Sequence, residues 1–308
     1  MPDTRLLFIT AEVAVLVLLV IALMAFHVHQ RRQQRRERQA ALETLTQLRQ
    51  LVSGLQRHRG LSNGVLNGNR TMAQDLSALA AKLDRLMGSP PELPADLTGD
   101  WQTLVNQWQR VKDVNGRDPG HNLTDHHRLI RRGINLIQDT ACHMDLAQGD
   151  SRLAYLPCIW QEVINAAEWA GQARALGTGM AAAGASDAAQ RVRLRFLHQK
   201  VDTLSRTAFS RLGIPGTGPA ARLDACKRAV DRFLESLDHD LLGSEEIAVH
   251  AKTVFELGTQ AVDTLFALVD AALSDLAGPT AVNAPPAPTQ KSGRPATESA
   301  LRDAVPAK

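Results

Sequence analysis

Aromatic residues are scarce in this chain of 308 residues: they make up 4% of it, with one Tyr, seven Phe and four Trp. Strands draw on aromatic and β-branched side chains, so this scarcity argues against a sheet-rich fold. The chain is rich instead in Ala, Leu, Gln and Arg, which favour helix. We therefore expect an all-α protein.

Cysteine is also scarce, with three residues (Cys142, Cys158 and Cys226) and no CxxC spacing. This gives no support to a disulfide framework or a zinc site and predicts reduced thiols in the cytosol, placed as small core residues. The sequence lacks a glycine-rich phosphate loop, an HExxH pair, a G-x-S-x-G elbow and the kinase signatures. We therefore expect a protein that is not an enzyme and needs no cofactor or metal.

Net charge is low, at +3, which is too small for a nucleic-acid-binding protein unless the basic residues cluster. The main cluster is Arg31, Arg32, Arg35, Arg36 and Arg38, directly after an apolar run. With this cluster and the basic C-terminal segment set aside, residues 39–277 are slightly acidic. Anion recognition there would depend on a few aimed arginines and not on a general positive field.

The long apolar run, residues 6–26, carries one charge, Glu12, and as a helix of roughly 30 Å is long enough to cross a bilayer core. We predict a transmembrane anchor over residues 1–30 and a basic juxtamembrane segment over 31–39. Positive charge beside a membrane helix stays on the cytoplasmic side, so we expect a single-pass inner-membrane protein with a cytoplasmic C-terminal domain. A cleaved secretory signal is the alternative, although no A-x-A site follows the run.

Beyond the anchor, apolar residues recur at alternating steps of three and four, which is typical of amphipathic helices in a bundle. Breaks rich in proline and glycine separate helices near 31–67, 72–86, 97–111, 123–144, 156–184, 187–211, 219–240 and 245–276. We predict an antiparallel bundle of about eight helices over residues 40–276, in two packed four-helix halves. Residues 277–308 are rich in proline and are predicted to be a disordered tail.

Two of these helices place an arginine on the face predicted to be buried. The apolar stripe that reaches Leu55 continues to Arg59 and Ser62, and the stripe that reaches Ala170 continues to Arg174 and Gly177. The sequences that follow the arginines also match, RGLSNG and RALGTG, which suggests that the two halves present equivalent surfaces. Glycines accompany both arginines although each interior glycine costs about 1 kcal/mol relative to alanine, which indicates close backbone approach or access for a ligand.

A buried guanidinium without a partner costs several kcal/mol, and two that converge cost more. A planar oxyanion held between two guanidinium forks would remove this cost, and its binding would draw two helices together, as a sensor requires. The alternative is that Arg59 reaches the bundle edge or pairs with an acidic neighbour, and that Arg174 pairs with Glu168 or Glu162. Arg57 lies off the stripe and is expected to be solvated, where it would add positive potential.

Around both arginines the sequence resembles the nitrate- and nitrite-sensing (NIT) domain family of bacterial signalling proteins. The family motif LQ-x-ERG-x-S is matched here by LQRHRGLS, with His58 in place of the usual glutamate, and the motif AEWAGQ-x-RALG is matched by residues 167–177. The resemblance covers residues 40–275 and implies an all-helical double bundle in which Arg59 and Arg174 bind nitrate or nitrite. Further candidates at the same motifs are Arg57, Gly60, Ser62 and Gly177.

The resemblance implies a membrane-anchored sensor. Family members commonly carry an output module, and here only the predicted tail follows the last helix, so we expect the signal to pass to an unidentified downstream protein. A homodimer is compatible with this reading, and nucleic acid is not an expected partner. Two alternatives stay open: a membrane-tethered scaffold whose arginines meet a partner's acidic residues, and a sensor of a carboxylate or another small anion.

Overall fold

The computed structural model describes residues 3–66, 68, 70–144, 151–215, 217–243 and 246–277, with side chains left undescribed for residues 3–15, 17, 34, 35, 71 and 152. The described residues are almost entirely helical and contain no strand. This confirms the all-α prediction.

Nine α-helical stretches are present within these described ranges: α1 (Asp3–Leu66), α2 (Ala73–Gly88), α3 (Thr98–Val111), α4 (Pro119–His143), α5 (Leu156–Cys158), α6 (Ile164–Ala183), α7 (Ala188–Arg211), α8 (Gly218–Ser236) and α9 (Ala251–Ala277). A π-helical segment, Ile159–Val163, joins α5 to α6, and a second, Leu237–Leu242, extends α8. Single 3-10 turns lie at Arg70–Met72, Ala95–Leu97 and Ser151–Leu153. Because α5 and α6 form one continuous segment, the described chain has eight long helices, as predicted.

Side-chain caps explain where several helices begin. Asp118 accepts a hydrogen bond from the backbone N–H of His121, so α4 begins at Pro119 and not near residue 123. Asp187 forms a capping box with Gln190 at the start of α7. The last helix begins later than predicted, at Ala251, because the backbone N–H of Ile247 donates to the carbonyl of Gly184 and holds the preceding segment against the end of α6.

The helices divide into two groups by their contacts. In the first group α1 packs on α4 and α2, and α3 packs on α4; in the second, α6 packs on α9 and α7, and α8 packs on α9. Smaller contacts of α1 with α9 and α6 join the two groups within one compact unit. The motif containing Arg59 belongs to the first group and the motif containing Arg174 to the second, so the site described below lies where the groups meet.

Helix α1 is continuous over 64 residues, which corresponds to about 96 Å. The predicted anchor, the basic segment and the first bundle helix therefore form one helix with no break between them. Within the residues searched, no helix is both long and apolar enough to cross a membrane. Much of the predicted anchor lies outside the residues with described side chains, and the predicted tail, apart from Ala277, lies outside the described residues altogether.

Two predictions of buried position are wrong in detail. Cys158 and Cys226 are buried as expected, but Cys142 is exposed near the end of α4. Steps of three and four in the sequence predict Leu123 and His127 as inward residues at the start of α4, whereas the fully buried side chains there are Asn122 and His126. Both form hydrogen bonds to residues of α1, which explains why polar groups replace apolar ones there.

Candidate anion-binding site

Arg59 lies in α1 with its side chain 0% exposed, so its charge is fully removed from water. Its Nη1 atom is 2.6 Å from Oε1 of Glu168 in α6, and the Glu168 side chain is 1% exposed. Burying a charge is tolerated only when the charge is paired and hydrogen-bonded. This ion pair is a buried contact between α1 and α6.

The Glu168 carboxylate is held by further donors. The side-chain amide of Gln56 donates to Oε2 at 2.9 Å, and that of Gln172 donates to Oε1 at 2.8 Å. Gln56 lies in the first motif and Gln172 in the second, and each donates an N–H group to the carboxylate. The Glu168 carboxylate is therefore held by residues of both helices in its pairing with Arg59.

The opposite edge of the Arg59 guanidinium has no partner among the described residues. Both Nε and Nη2 are buried and make no hydrogen bond. These two atoms form one edge of the guanidinium plane, and their N–H bonds point in parallel, which is the geometry that a planar oxyanion accepts with two oxygens. A side chain at Gly171 would place its Cβ 2.8 Å from Nη2, so glycine at this position leaves space for the guanidinium.

Arg174 lies in α6 and is 6% exposed. Its Nη1 donates to the hydroxyl of Thr259 at 2.9 Å, and its guanidinium carbon lies 5.1 Å from the ring centroid of Phe255. Neither group neutralises its charge. Burial lowers the pKa of Arg174 to about 10, and the positive charge of Arg59 contributes to the same shift.

The charges of this cluster do not cancel. Arg59 and Arg174 supply two buried positive charges and Glu168 the one buried negative charge. The exposed Asp263 and Arg57 also act on Arg174, with opposite signs. The neighbouring histidines add no charge, because burial lowers the pKa of His58 to about 3 and that of His126 to about 4. The buried side chains of the site thus carry an excess of one positive charge.

A chain of buried hydrogen bonds joins α4 to the first motif. Nδ1 of His126 lies 2.8 Å from the carbonyl oxygen of Asn122, so this nitrogen carries the proton and Nε2 accepts. His58 Nδ1, 2.9 Å from that Nε2, is then the donor. The Asn122 amide donates to the Ser62 hydroxyl at 3.0 Å, and Ser62 in turn donates to the carbonyl of Arg59 at 3.1 Å.

His58 therefore occupies a fully buried position, where it packs edge-on against Trp108 with ring centroids 4.8 Å apart. A neutral imidazole cannot supply the negative charge of the glutamate that the family motif has at this place. The described site consequently contains one acidic partner for Arg59, Glu168, and no second one beside it in α1.

The structure brings together some of the predicted site residues and separates others. Arg59 and Arg174 interact electrostatically across the junction of the two helix groups. Ser62 takes part through the backbone of Arg59, and Gly60 lies near Phe255. Arg57 is exposed.

Gly177 packs elsewhere. A Cβ there would meet Leu241 at 2.8 Å and Val254 at 3.2 Å, so its place in the motif is explained by close helix packing. The residues that sequence reasoning missed are the polar partners Gln56, Gln172, Asn122 and His126, and the pairing of Glu168 with Arg59. Gln56, Glu168 and Gln172 do fall within the quoted motifs, which was the available signal.

The fold and the site thus define an all-helical bundle with a buried cationic centre at the junction of its two halves. A family model described as nitrate and nitrite sensing matches residues 50–277. The chain therefore belongs to this nitrate- and nitrite-sensing (NIT) family.

Comparison of structures agrees with this assignment at the level of the fold. A solved structure titled "Structure of the NasR transcription antiterminator" is similar with a TM-score of 0.62 and 20% sequence identity, over 84% of this chain and 73% of that chain. No curated protein sequence gives a significant match. The family membership supports a sensory role.

Proposed function

We propose that this protein is a sensor whose bundle binds nitrate or nitrite between Arg59 and Arg174. The observation that carries the proposal is the buried Nε–Nη2 edge of Arg59, which has no partner among the described residues, in a cluster with an excess of one positive charge. A planar monovalent oxyanion would accept both N–H groups and make the cluster neutral. A divalent anion would leave an excess negative charge beside Glu168, which is costly at a buried site.

Anion binding at this site would depend on the relative position of two helices. Arg59 belongs to α1 and Arg174 to α6, and an anion attracted to both would strengthen the junction of the two helix groups. Helix α1 continues without a break from Arg59 toward the N-terminus, so a displacement of α1 at the site would also move the N-terminal part of the helix. We infer that the signal leaves the bundle to a separate downstream protein.

The direct test uses the purified full chain in detergent, with nitrate titrated by calorimetry and by thermal unfolding at constant ionic strength. Ligand at 100 times its dissociation constant should stabilise the fold by about 2.7 kcal/mol. Arg174→Met should abolish this stabilisation. Arg206→Met is the matched control, because Arg206 is an exposed arginine paired with Asp202.

The competing readings predict different results. A sensor of another small anion would be stabilised more by formate, acetate or bicarbonate than by nitrate or nitrite in the same titration. A scaffold would show no anion-specific stabilisation, and Arg174→Met would leave its stability unchanged or raised while a bound protein is lost. Nitrate binding that survives in Arg174→Met would contradict the proposed site.

We further propose that α1 anchors the sensor in the inner membrane with the bundle in the cytoplasm. The support is the apolar run in the sequence and the exposure of its described side chains, for example the consecutive residues Leu18 at 66%, Leu19 at 56%, Val20 at 49% and Ile21 at 57%. These residues leave the helix in different directions, so no single protein groove would cover them. A C-terminal reporter enzyme active only in the periplasm would contradict this orientation, and recovery of the full chain in the soluble fraction would contradict the anchor.

A further inference from the structure

A stretch of α7 presents large apolar side chains to solvent among basic ones. Val192 is 66% exposed and Phe196 is 39% exposed. Arg193 lies between them along the helix, and Lys200 follows one turn after Phe196. Together with two neighbours from α4 and α6 they form what we call the α7 patch: Arg131, Trp169, Val192, Arg193, Phe196 and Lys200.

The aromatic rings of the patch hold its cations in place. The rings of Trp169 and Phe196 meet edge to face at 5.8 Å. The guanidinium of Arg193 and the ammonium of Lys200 lie 5.3 Å and 5.6 Å from the centroid of the Phe196 ring, and Arg131 lies 5.3 Å from that of Trp169. The contacts position three positive charges around one apolar surface.

None of these three charges forms an ion pair with a carboxylate of the described residues. Arg131 donates to the amide oxygen of Asn165 at 2.7 Å, and Arg193 donates to that of Gln172 at 2.9 Å. Elsewhere on α7 the situation differs, since Arg206 pairs with Asp202 and Arg211 with Glu162. A binding partner with acidic residues could therefore neutralise the charge of the patch, and it could also bury the exposed apolar side chains.

The patch is connected to the anion site by a short series of hydrogen bonds. Arg193 donates to Gln172 Oε1 at 2.9 Å, Gln172 donates to Glu168 Oε1 at 2.8 Å, and Glu168 pairs with Arg59 at 2.6 Å. An anion on the free edge of Arg59 would repel Glu168 and compete for its cation. Glu168 is connected to Arg193 through one intervening side chain, Gln172.

We propose that the α7 patch docks an acidic segment of a downstream protein, with an apolar residue of that segment against Val192 and Phe196, and that the anion at Arg59 alters the strength of docking. The linkage rests on the proposed function; the docking surface does not. A protein segment fits better than nucleic acid because the cations at Phe196 take the positions that a stacked base would need.

The test measures binding of a short fluorescent peptide, rich in glutamate and aspartate with a central leucine, to the full chain in detergent with chloride as the anion. Lys200→Glu should weaken the peptide's affinity at least about tenfold. Arg206→Glu is the matched control, because it reverses the same charge on the same helix outside the patch. Equal weakening by both variants would overturn the proposal, since it would show general attraction and not a defined surface.

Two further outcomes would also overturn the docking surface. One is a single-stranded RNA that binds more tightly than the peptide and loses affinity in Lys200→Glu alone. The other is a self-associated wild-type chain that Lys200→Glu converts to monomer, which would make a second copy the occupant. Circular dichroism of the variants should be unchanged, because Lys200 is exposed.

The linkage is measured by replacing chloride with nitrate at the same ionic strength. We expect the peptide's affinity to change by roughly fivefold or more, and nitrate affinity to change by the same factor when the peptide is present. Nitrate that binds without changing peptide affinity would overturn the linkage. If nitrate does not bind at all, the proposed function and the linkage fail together, and the chloride measurements decide the docking surface separately.

Discussion

Arg59 of α1 and Arg174 of α6 stand at the same place in two related sequences, RGLSNG and RALGTG, and the bundle surrounds them differently. Arg59 shares a buried carboxylate and keeps one guanidinium edge without a partner. Arg174 has a hydroxyl and an aromatic ring as neighbours, with its side chain against Thr259 and Phe255. Two halves that look alike in sequence thus contribute differently to the site. The first contributes a guanidinium edge aligned for an oxyanion, and the second contributes a positive charge without a carboxylate partner.

The largest effect should come from removing the charge of Glu168. Glu168→Gln leaves the buried Arg59 without a counter-charge, so the free energy of unfolding should fall by about 3 kcal/mol in an anion-poor buffer. Urea unfolding measures the loss, and added nitrate should restore part of it. Arg174 forms no ion pair among the described residues, so no equivalent substitution beside Arg174 should have this effect.

Glu162→Gln is the matched control for that experiment. Glu162 precedes Glu168 on the same helical segment and pairs with Arg211, whose side chain is 59% exposed. A partly solvated pair contributes little, so the control should lose less than about 1 kcal/mol. Similar losses in the two variants would remove the distinction between a buried site pair and a surface pair.

Substitution of the glycines that pack against the two arginines should have the next largest effects, and the two substitutions should differ. A Cβ at Gly258 would meet Cβ of Arg174 at 2.7 Å and the Phe233 ring at 3.0 Å, so Gly258→Ala should cost about 2 kcal/mol of stability. A Cβ at Gly171 would meet Nη2 at the end of the Arg59 side chain at 2.8 Å and would lie in ordinary contact with Gln56 at 3.8 Å, so only the guanidinium has to shift. Gly171→Ala should therefore spare stability more and lower nitrate affinity by about tenfold.

The control for both substitutions is Gly179→Ala in α6. No atom lies within 4 Å of a Cβ built there, and the position is exposed. Removing a helical glycine without a clash should stabilise the protein by up to about 1 kcal/mol. If calorimetry finds unchanged nitrate affinity in Gly171→Ala, the free edge of Arg59 is not the place where the anion binds.

Much of this architecture follows from apolar periodicity. The stripes that predicted Arg59 and Arg174 as inward residues rest on steps of three and four along the helix, and both side chains are buried. In the helix predicted near 97–111 the same steps connect Trp101, Leu104 and Trp108, and all three lie in the core. Helix ends were less accurate because they depend on individual caps and on contacts such as that of Ile247 with Gly184.

The polar partners could be predicted less well. The sequence offers Glu168 as a partner for Arg174, but six positions turn an α-helix by one and two-thirds turns, which sends the two side chains about 120° apart. Helix geometry alone was enough to exclude that pair. By contrast, Asn122 and His126 are buried through bonds to Ser62 and His58, and a method that searches for apolar residues assigns such positions to the surface.

Acid should weaken the half of the bundle that holds Arg59. Burial lowers the pKa of His58 from 6.5 to about 3 and that of His126 from 6.5 to about 4, so the folded state stays unprotonated while the unfolded chain binds protons. Stability is therefore complete above pH 6.5 and falls as the pH decreases toward these lowered values. Between pH 6.5 and 5.5 the loss should be about 1 kcal/mol for each histidine.

Urea unfolding across that pH range measures the effect, and His58→Gln should make the dependence shallower. The glutamine amide can still donate to His126, so the hydrogen bond is kept while a titrating group is removed. His250→Gln, at an exposed position ahead of α9, is the control and should leave the slope unchanged. An unchanged slope in His58→Gln would show that the buried histidines do not set the acid response.

The smallest effect should arise at the hydroxyl beside Arg174. Thr259→Val keeps the shape of the side chain but removes the oxygen that accepts from Arg174 Nη1 at 2.9 Å, which should cost about 1 kcal/mol of unfolding free energy. Thr264→Val on the same helix is the control, because its hydroxyl bonds to the carbonyl oxygens of Gln260 and Ala261, and it should cost less. If an anion lies between the arginines, saturating nitrate should reduce the deficit of Thr259→Val, since a bound oxyanion offers Arg174 another acceptor. A deficit that is the same with and without nitrate would place Arg174 outside the binding site and leave Arg59 as the single anion ligand of the pair.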